Sequence, residues 1–99
     1  MAGRILITPE ELNEGATFLR QKLEAINQEV AALKGKIDDV ASRWEGAAQT
    51  SFVNQFESEM YPVLSDTLPQ VIEGVASELD AAANAIRETD DQLASAFSG

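Results

Sequence analysis

Few side chains in this sequence are suited to chemistry. The chain holds seventeen carboxylates but no histidine and no cysteine, so the commonest general bases, thiol nucleophiles and zinc ligands are missing. The carboxylate pairs Asp38-Asp39 and Asp90-Asp91 are sequence neighbours, which point to different faces of a helix. A glycine-rich phosphate loop and a Gly-x-Ser-x-Gly elbow are also absent from the sequence. We therefore predict no catalytic, cofactor-binding or metal site and expect that the protein is not an enzyme.

The most distinctive stretch is Arg43-Trp44-Glu45-Gly46-Ala47, which contains the single tryptophan. Gly46 can take a left-handed backbone angle after a helix end, which other side chains reach only at a steric cost. We predict a turn over residues 44–47, with Trp44, Glu45 and Gly46 as its motif. Trp44 has two compatible roles, since a large ring that closes a helical bundle also positions an exposed turn.

The residues before this turn carry one uninterrupted apolar seam whose spacings alternate between four and three, as in a helix that packs on a partner. Thr8, Pro9 and Glu11 form a helix start: a capping hydroxyl, a proline in the first helical position and an acid that completes a capping box. We predict helix over 8–43 after an extended arm over 1–7. The large residues of the seam, through which the hairpin or a dimer packs, are Leu12, Leu19, Leu23, Ile26, Val30, Leu33, Ile37 and Val40.

The basic residues of this first helix flank its seam. Opposite charges on such flanks favour helix pairing, and residues 47–99 hold nine acidic side chains and one basic one. The pattern predicts that the basic flanks face the acidic second half of the chain. The alternative is that long basic side chains only cover apolar edges with their methylenes. The flanking residues are Arg20, Lys22, Lys34, Lys36 and Arg43.

The residues after the turn carry a second and wider apolar face, which predicts a helix over 48–97 with more than one neighbour. Pro62 and Pro69 each remove a backbone donor and obstruct the carbonyl four residues earlier. We expect a kink near these prolines; the alternative is that one of residues 65–67 caps a separate third helix. The fold class is all-α, an antiparallel two-helix hairpin.

Reversal at the turn places residue i of the first helix near residue 92 − i of the second, so residues beyond about 84 have no partner in the first helix. This overhang still carries an apolar row, which predicts contact with another chain or cover from the Ile5-Leu6-Ile7 arm. A single domain over 1–99 with only two helices buries little surface. We therefore predict a homodimer in which two hairpins form a four-helix bundle.

The net charge of −10 disfavours nucleic acid and anionic membranes as partners. We expect no nucleic-acid binding and no stable membrane binding, because the helices of interfacial proteins are typically basic on their polar face. The sequence contains no window of about 18 apolar residues that could span a bilayer. Its N-terminal apolar run is too short for a signal peptide, so export would need another route.

The sequence resembles the WXG family, the hundred-residue helical hairpins exported by bacterial type VII secretion systems and related to the early secretory antigenic target. Trp44-Glu45-Gly46 matches the central Trp-Xaa-Gly turn of that family in its mid-chain position between two amphipathic helices. The spacing of Ile86, Asp90, Leu93 and Phe97 is similar to its C-terminal export pattern. The mycobacterial pattern has tyrosine where this chain has Ile86, so the resemblance is to the Gram-positive branch outside the mycobacteria, whose members commonly form homodimers.

The resemblance implies a small secreted substrate of a type VII (ESX/Ess-like) secretion system, which leaves the cytoplasm as a folded dimer without a signal peptide. It implies recognition by the membrane-bound hexameric secretion ATPase, and it raises the expectation of a virulence-associated factor. Asp90 would be the charged contact within the export motif; the alternative is that Asp90 is only a solvated acid. For the apolar residues of the motif, the alternative is that they only pack in the dimer. The alternative function is an adaptor or chaperone-like helical bundle that delivers a larger co-secreted protein.

Overall fold

The computed structural model describes residues 6–98, so most of the predicted arm, including Ile5, lies outside the described residues. The described part of the chain is a helical hairpin about 77 Å long and little more than 20 Å wide. Two π-helical segments, in which hydrogen bonds span five residues instead of four, join its second and third helices. The elements in chain order are α1 (Pro9–Ser42), α2 (Ala47–Gln55), the π segments Phe56–Met60 and Val63–Thr67, and α3 (Leu68–Ser98).

The first helix starts at Pro9, directly after a side-chain cap. Thr8 has an extended backbone and its hydroxyl accepts a hydrogen bond from the Glu11 amide at 3.1 Å. The Thr8 hydroxyl in turn donates to the Glu11 carboxylate at 3.2 Å, whereas a full capping box would direct that carboxylate to the Thr8 amide. Such a cap generally stabilises a helix by about 1 kcal/mol.

The contact between α1 and α3 is built from small residues. Ala16 of α1 and Ala76 and Ala83 of α3 are fully buried. A Cβ atom added to Gly15 would lie 3.4 Å from a methyl group of Leu79, which shows how closely the helices approach. Several large apolar residues remain exposed, because each helix of a hairpin has only one neighbouring helix against which to bury its apolar face.

The register of the hairpin is marked by polar contacts between α1 and α3. The Asn13 amide donates to Asp80 at 2.7 Å, one residue from the predicted 92 − i pairing. Arg20 donates to both carboxylate oxygens of Glu73 at 3.0 to 3.1 Å and to Asp80 at 2.7 Å. These hydrogen bonds from Arg20 lower the pKa of Glu73 and of Asp80 below the usual carboxyl values, and Asn13 adds to the effect at Asp80.

The other basic flank residues behave differently from Arg20. Lys34 pairs with Asp38 of its own helix at 2.7 Å, and Arg43 pairs with Asp39 at 3.2 Å. Across the hairpin, the Lys34 Nζ atom lies 5.5 Å from the centroid of the Tyr61 ring. The hydrogen bond with Asp38 raises the pKa of Lys34, and Glu57 is close enough to raise this pKa further without forming an ion pair with Lys34. Pairing of basic flanks with the acidic half of the chain therefore holds at Arg20 but not at Lys34 or Arg43.

Both internal prolines lie in helical backbone, since the chain stays helical from Ala47 to Ser98 and no loop begins a separate helix at 65–67. The last hydrogen bond of each π segment is donated by the residue directly before a proline. The Tyr61 amide donates to the Phe56 carbonyl, and the Leu68 amide donates to the Val63 carbonyl. A proline ring obstructs the carbonyl four residues earlier in an α-helix. A widened turn just ahead of Pro62 and of Pro69 therefore accommodates each ring without a break.

Candidate functional site

The turn between α1 and α2 is built around Gly46. Its φ of 120° and ψ of 176° make it the one residue with positive φ in the part of the chain that the structure describes. This region is essentially restricted to glycine, and other residues there are strained by about 1 to 3 kcal/mol. Nothing lies within 4 Å of a Cβ atom added at Gly46, so the backbone angle and not crowding requires glycine.

Hydrogen bonds attach this turn to both helices. The Gln49 side chain donates to the Ala41 carbonyl at 3.0 Å, which gives a partner to one of the last carbonyls of α1, a group with no partner in the helix itself. The Trp44 amide also donates to Ala41 at 3.3 Å, and the Thr50 amide donates to Gly46 at 3.2 Å as α2 begins. Residues 43–46 are therefore held from both sides.

Trp44 is partly covered and 40% exposed. Its ring centroid lies 5.9 Å from that of Phe52, with the planes tilted by 40°. Phe52 stacks on Phe56 at 6.3 Å, and Phe56 contacts Tyr61 at 5.8 Å. We call these four residues the aromatic row. Both roles predicted for Trp44 fit this geometry, since one part of the ring packs on α2 and the rest faces solvent.

The sequence pattern after the turn predicted only a wide apolar face and did not connect Tyr61 with Phe52 and Phe56. The spacing of four between Phe52 and Phe56 was the available signal. Tyr61 is five residues from Phe56, and residues five apart in an α-helix point about 140° apart. Only the π segment brings these two rings together.

The predicted export residues all lie on the last part of α3, where their spacing of four, three and four keeps them to one side of the helix. Ile86 is half-buried, Asp90 is exposed, Leu93 is 53% exposed and Phe97 is 88% exposed. Arg87 reaches Glu10, near the first residue of α1, at 3.9 Å. Beyond this point α3 extends past the end of α1, as the overhang prediction requires.

The turn motif and this C-terminal set lie at opposite ends of the hairpin. They are separated by the length of α1, which is about 50 Å at 1.5 Å per residue. One chain therefore does not bring Trp44 and Asp90 together.

The predicted seam of α1 is covered unevenly in the hairpin. Val30 is buried, and the seam residues from Leu12 to Ile26 and Ile37 are half-buried. Leu33 and Val40 are 45% and 49% exposed. A heptad seam drifts by about 20° per seven residues around a straight helix, so it turns away from a single partner.

A second exposed apolar row runs from the π segments into α3. Its members Met60, Val63, Val71 and Val75 are between 44% and 57% exposed.

No helix of the described residues is apolar and long enough to cross a membrane. Across residues 6–98, no three of the acidic side chains are grouped so that they could hold a metal ion.

Known proteins resemble this chain over nearly all of its length. It is 32% identical to protein YukE of Bacillus subtilis over 99 residues, which is the whole of both chains. It is 29% identical to the type VII secretion system extracellular protein A of Staphylococcus aureus, covering 94% of each chain. Both relatives come from Gram-positive bacteria outside the mycobacteria, as the departure at Ile86 predicted.

Solved structures share the fold. EsxA of Geobacillus thermodenitrificans superposes with a TM-score of 0.71 at 27% identity, over 93% of this chain and 98% of that one. The secreted protein EsxB of Bacillus anthracis gives a TM-score of 0.69 at 28% identity, over 90% and 97%. The all-α hairpin predicted from the sequence is confirmed. The sequence model of the family described as proteins of 100 residues with WXG matches residues 4–91, and this chain, with Trp44-Glu45-Gly46 at its turn, belongs to that family.

Proposed function

We propose that the protein is a small substrate of a type VII secretion system, exported from the cytoplasm as a folded dimer of hairpins. The proposal rests on one observation: the chain matches the type VII secretion system extracellular protein A of S. aureus over 94% of both chains, at 29% identity. The half-exposed Trp44 and the uncovered end of α3 support it, since both present apolar surface to a partner. The proposal assigns no catalytic role.

The dimer follows from the surface that one hairpin leaves open. Leu33 and Val40 of α1, and the row from Met60 to Val75, are each 44% to 57% exposed. Large apolar residues exposed together commonly mark an interaction surface. A second hairpin would cover them in a four-helix bundle. Light scattering at micromolar concentration should give twice the chain mass of 10.7 kDa; a stable monomer would contradict this and assign the open surface to a different protein.

The export signal is composite in this proposal. If two hairpins pack antiparallel, the Trp44-Glu45-Gly46 turn of one lies beside the overhanging α3 of its partner, because the two features occupy opposite ends of each chain. Asp90 then provides a charged contact for the secretion ATPase. The apolar members Ile86, Leu93 and Phe97 enter a groove on that ATPase, as the face of an amphipathic helix does.

The experiment compares export and dimer stability for Trp44→Ala and Asp90→Ala in cells that contain the secretion system. Glu88→Ala is the matched control, because Glu88 is an exposed acid on another face of the same overhang. We expect both test variants to remain dimeric and to lose export, and the control to be exported normally. Normal export of a dimeric Asp90→Ala variant would remove Asp90 from the signal. If export is lost only in variants whose dimer dissociates, then Ile86, Asp90, Leu93 and Phe97 contribute to dimer packing and not to recognition.

An adaptor or chaperone-like bundle that delivers a larger co-secreted protein is the second candidate. The open row from Met60 to Val75 fits this function as well as the homodimer, because a partner other than a second copy would cover the same surface. Purification from the native cytoplasm distinguishes the two functions: a stoichiometric larger protein supports the adaptor, and a pure homodimer supports the stand-alone substrate. A virulence-associated role is an additional expectation from the family resemblance and would be exerted after export.

A further inference from the structure

The aromatic row connects the turn to Lys34, about two helical turns before the end of α1. Its far end is Tyr61, whose ring lies 5.5 Å from the Lys34 Nζ atom of α1. Lys34 is itself held by Asp38 at 2.7 Å. The row therefore starts at Trp44, just after α1 ends, and returns to α1 at Lys34.

The continuity of the row depends on the π segment Phe56–Met60. The Tyr61 amide donates to the Phe56 carbonyl, so five residues close one turn. This widened turn places the Tyr61 ring beside Phe56, where an α-helix would point it about 140° away. Phe56, in the middle of the row, is only 4% exposed, which makes it a firm support for Phe52.

The backbone of Trp44 makes few hydrogen bonds. Trp44 lies outside both helices, and its amide makes a single hydrogen bond, to Ala41 at 3.3 Å. The orientation of its indole therefore depends on what the ring packs against. The ring that contacts it is Phe52, at 5.9 Å.

We propose that Phe52, supported by Phe56 and by Tyr61 across the π segment, is a positioning residue that sets the orientation in which Trp44 meets the secretion machinery. The proposal rests on the recognition role of the turn proposed above. The π segment begins at Phe56, ten residues after Gly46, and wide turns of this kind often occur at functional sites. Phe52 acts only through Trp44 and makes no contact with the ATPase itself.

The single tryptophan makes this orientation measurable, because all tryptophan fluorescence of the chain comes from Trp44. The test variant is Phe52→Leu, which keeps apolar volume but removes the ring. Phe52→Tyr retains the ring and is the rescue variant. Phe18→Leu is the matched control, because Phe18 is 56% exposed on α1 and lies outside the row.

For the folded Phe52→Leu dimer, we expect a red-shifted Trp44 emission and roughly two- to tenfold less export, as loss of one aromatic pair would produce. Phe52→Tyr should restore both, and Phe18→Leu should change neither. If Phe52→Leu does not fold, Phe52→Met serves instead, since its flexible side chain adapts to irregular space.

The outcomes separate this proposal from the one on which it rests. Unchanged emission, or normal export, of a folded Phe52→Leu or Phe52→Met dimer would overturn the positioning role while Trp44→Ala still fails to be exported. Normal export of Trp44→Ala would instead overturn the recognition role of the turn, and the positioning role with it.

Discussion

The two ends of the hairpin differ in how much of their apolar surface is covered by contacts within one chain. At the turn end, Gly46 sets the backbone, Gln49 bonds to the last turn of α1, and the aromatic row packs around the buried ring of Phe56. At the open end, α3 continues past α1 with Leu93 and Phe97 largely exposed. The turn end is therefore determined within one chain, whereas the open end has a defined helical shape but its large apolar side chains are left mostly uncovered by the described part of the chain.

The largest expected effect contrasts the phenylalanines of the two ends. Phe56→Ala should lower the free energy of unfolding by about 3 to 5 kcal/mol, because it removes a buried ring from the row. Phe97→Ala should lower it by less than about 0.5 kcal/mol, as exposed substitutions do. Urea unfolding of both variants measures this. A cost at Phe97 close to that at Phe56 would show that the overhang is packed in the dimer and would abolish the contrast.

A smaller effect tests whether backbone geometry holds the turn end. Gly46→Ala should destabilise the protein by about 1 to 3 kcal/mol, since its φ of 120° suits glycine. Gly35→Ala is the control: this helical glycine also has nothing within 4 Å of an added Cβ atom, so alanine there should stabilise by about 0.5 to 1 kcal/mol. Thermal unfolding should give shifts of opposite sign. Shifts of the same sign would mean that the turn is not constrained by Gly46.

The smallest effect concerns the polar cluster of Arg20, Glu73 and Asp80 between the turn and the open end. The pKa values of both carboxyls are lowered by Arg20, so the unfolded chain binds protons at a higher pH than the folded chain does. The resulting stability is present above about pH 4, the ordinary carboxyl range, and is lost as the pH falls through the lowered values. All three side chains are at least one-third exposed, so solvent limits the effect.

Arg20→Gln should therefore flatten the acid side of the pH dependence of the melting temperature and change little in the register of the hairpin. Lys22→Gln is the control, because Lys22 lies over the Phe18 ring of its own helix and not at the cluster. If both variants keep the same acid slope as the parent, the cluster does not contribute to it.

Much of this architecture could be predicted because it depends on neighbours along the chain. The Thr8 hydroxyl caps the first helix by bonding to the Glu11 amide three residues away, and Gly46 supplies the positive φ of the turn directly before α2. The alternating spacing of four and three predicted the long helix before that turn, and the second, wider apolar face predicted the helix after it. Hydrogen bonds within a helix and steric limits on φ act over a few residues, so residue type and spacing determine them.

Other features were decided only by tertiary structure. The sequence did not indicate that Arg20 alone among the basic flank residues would meet two acids of α3, or that Leu33 would remain half-exposed while Val30 is buried. Nor did it indicate that Tyr61 would join the aromatic row. Helix register, the drift of a heptad seam and the widening of a turn before proline depend on how two helices pack over their whole length. Local residue preferences carry little information about such long-range packing.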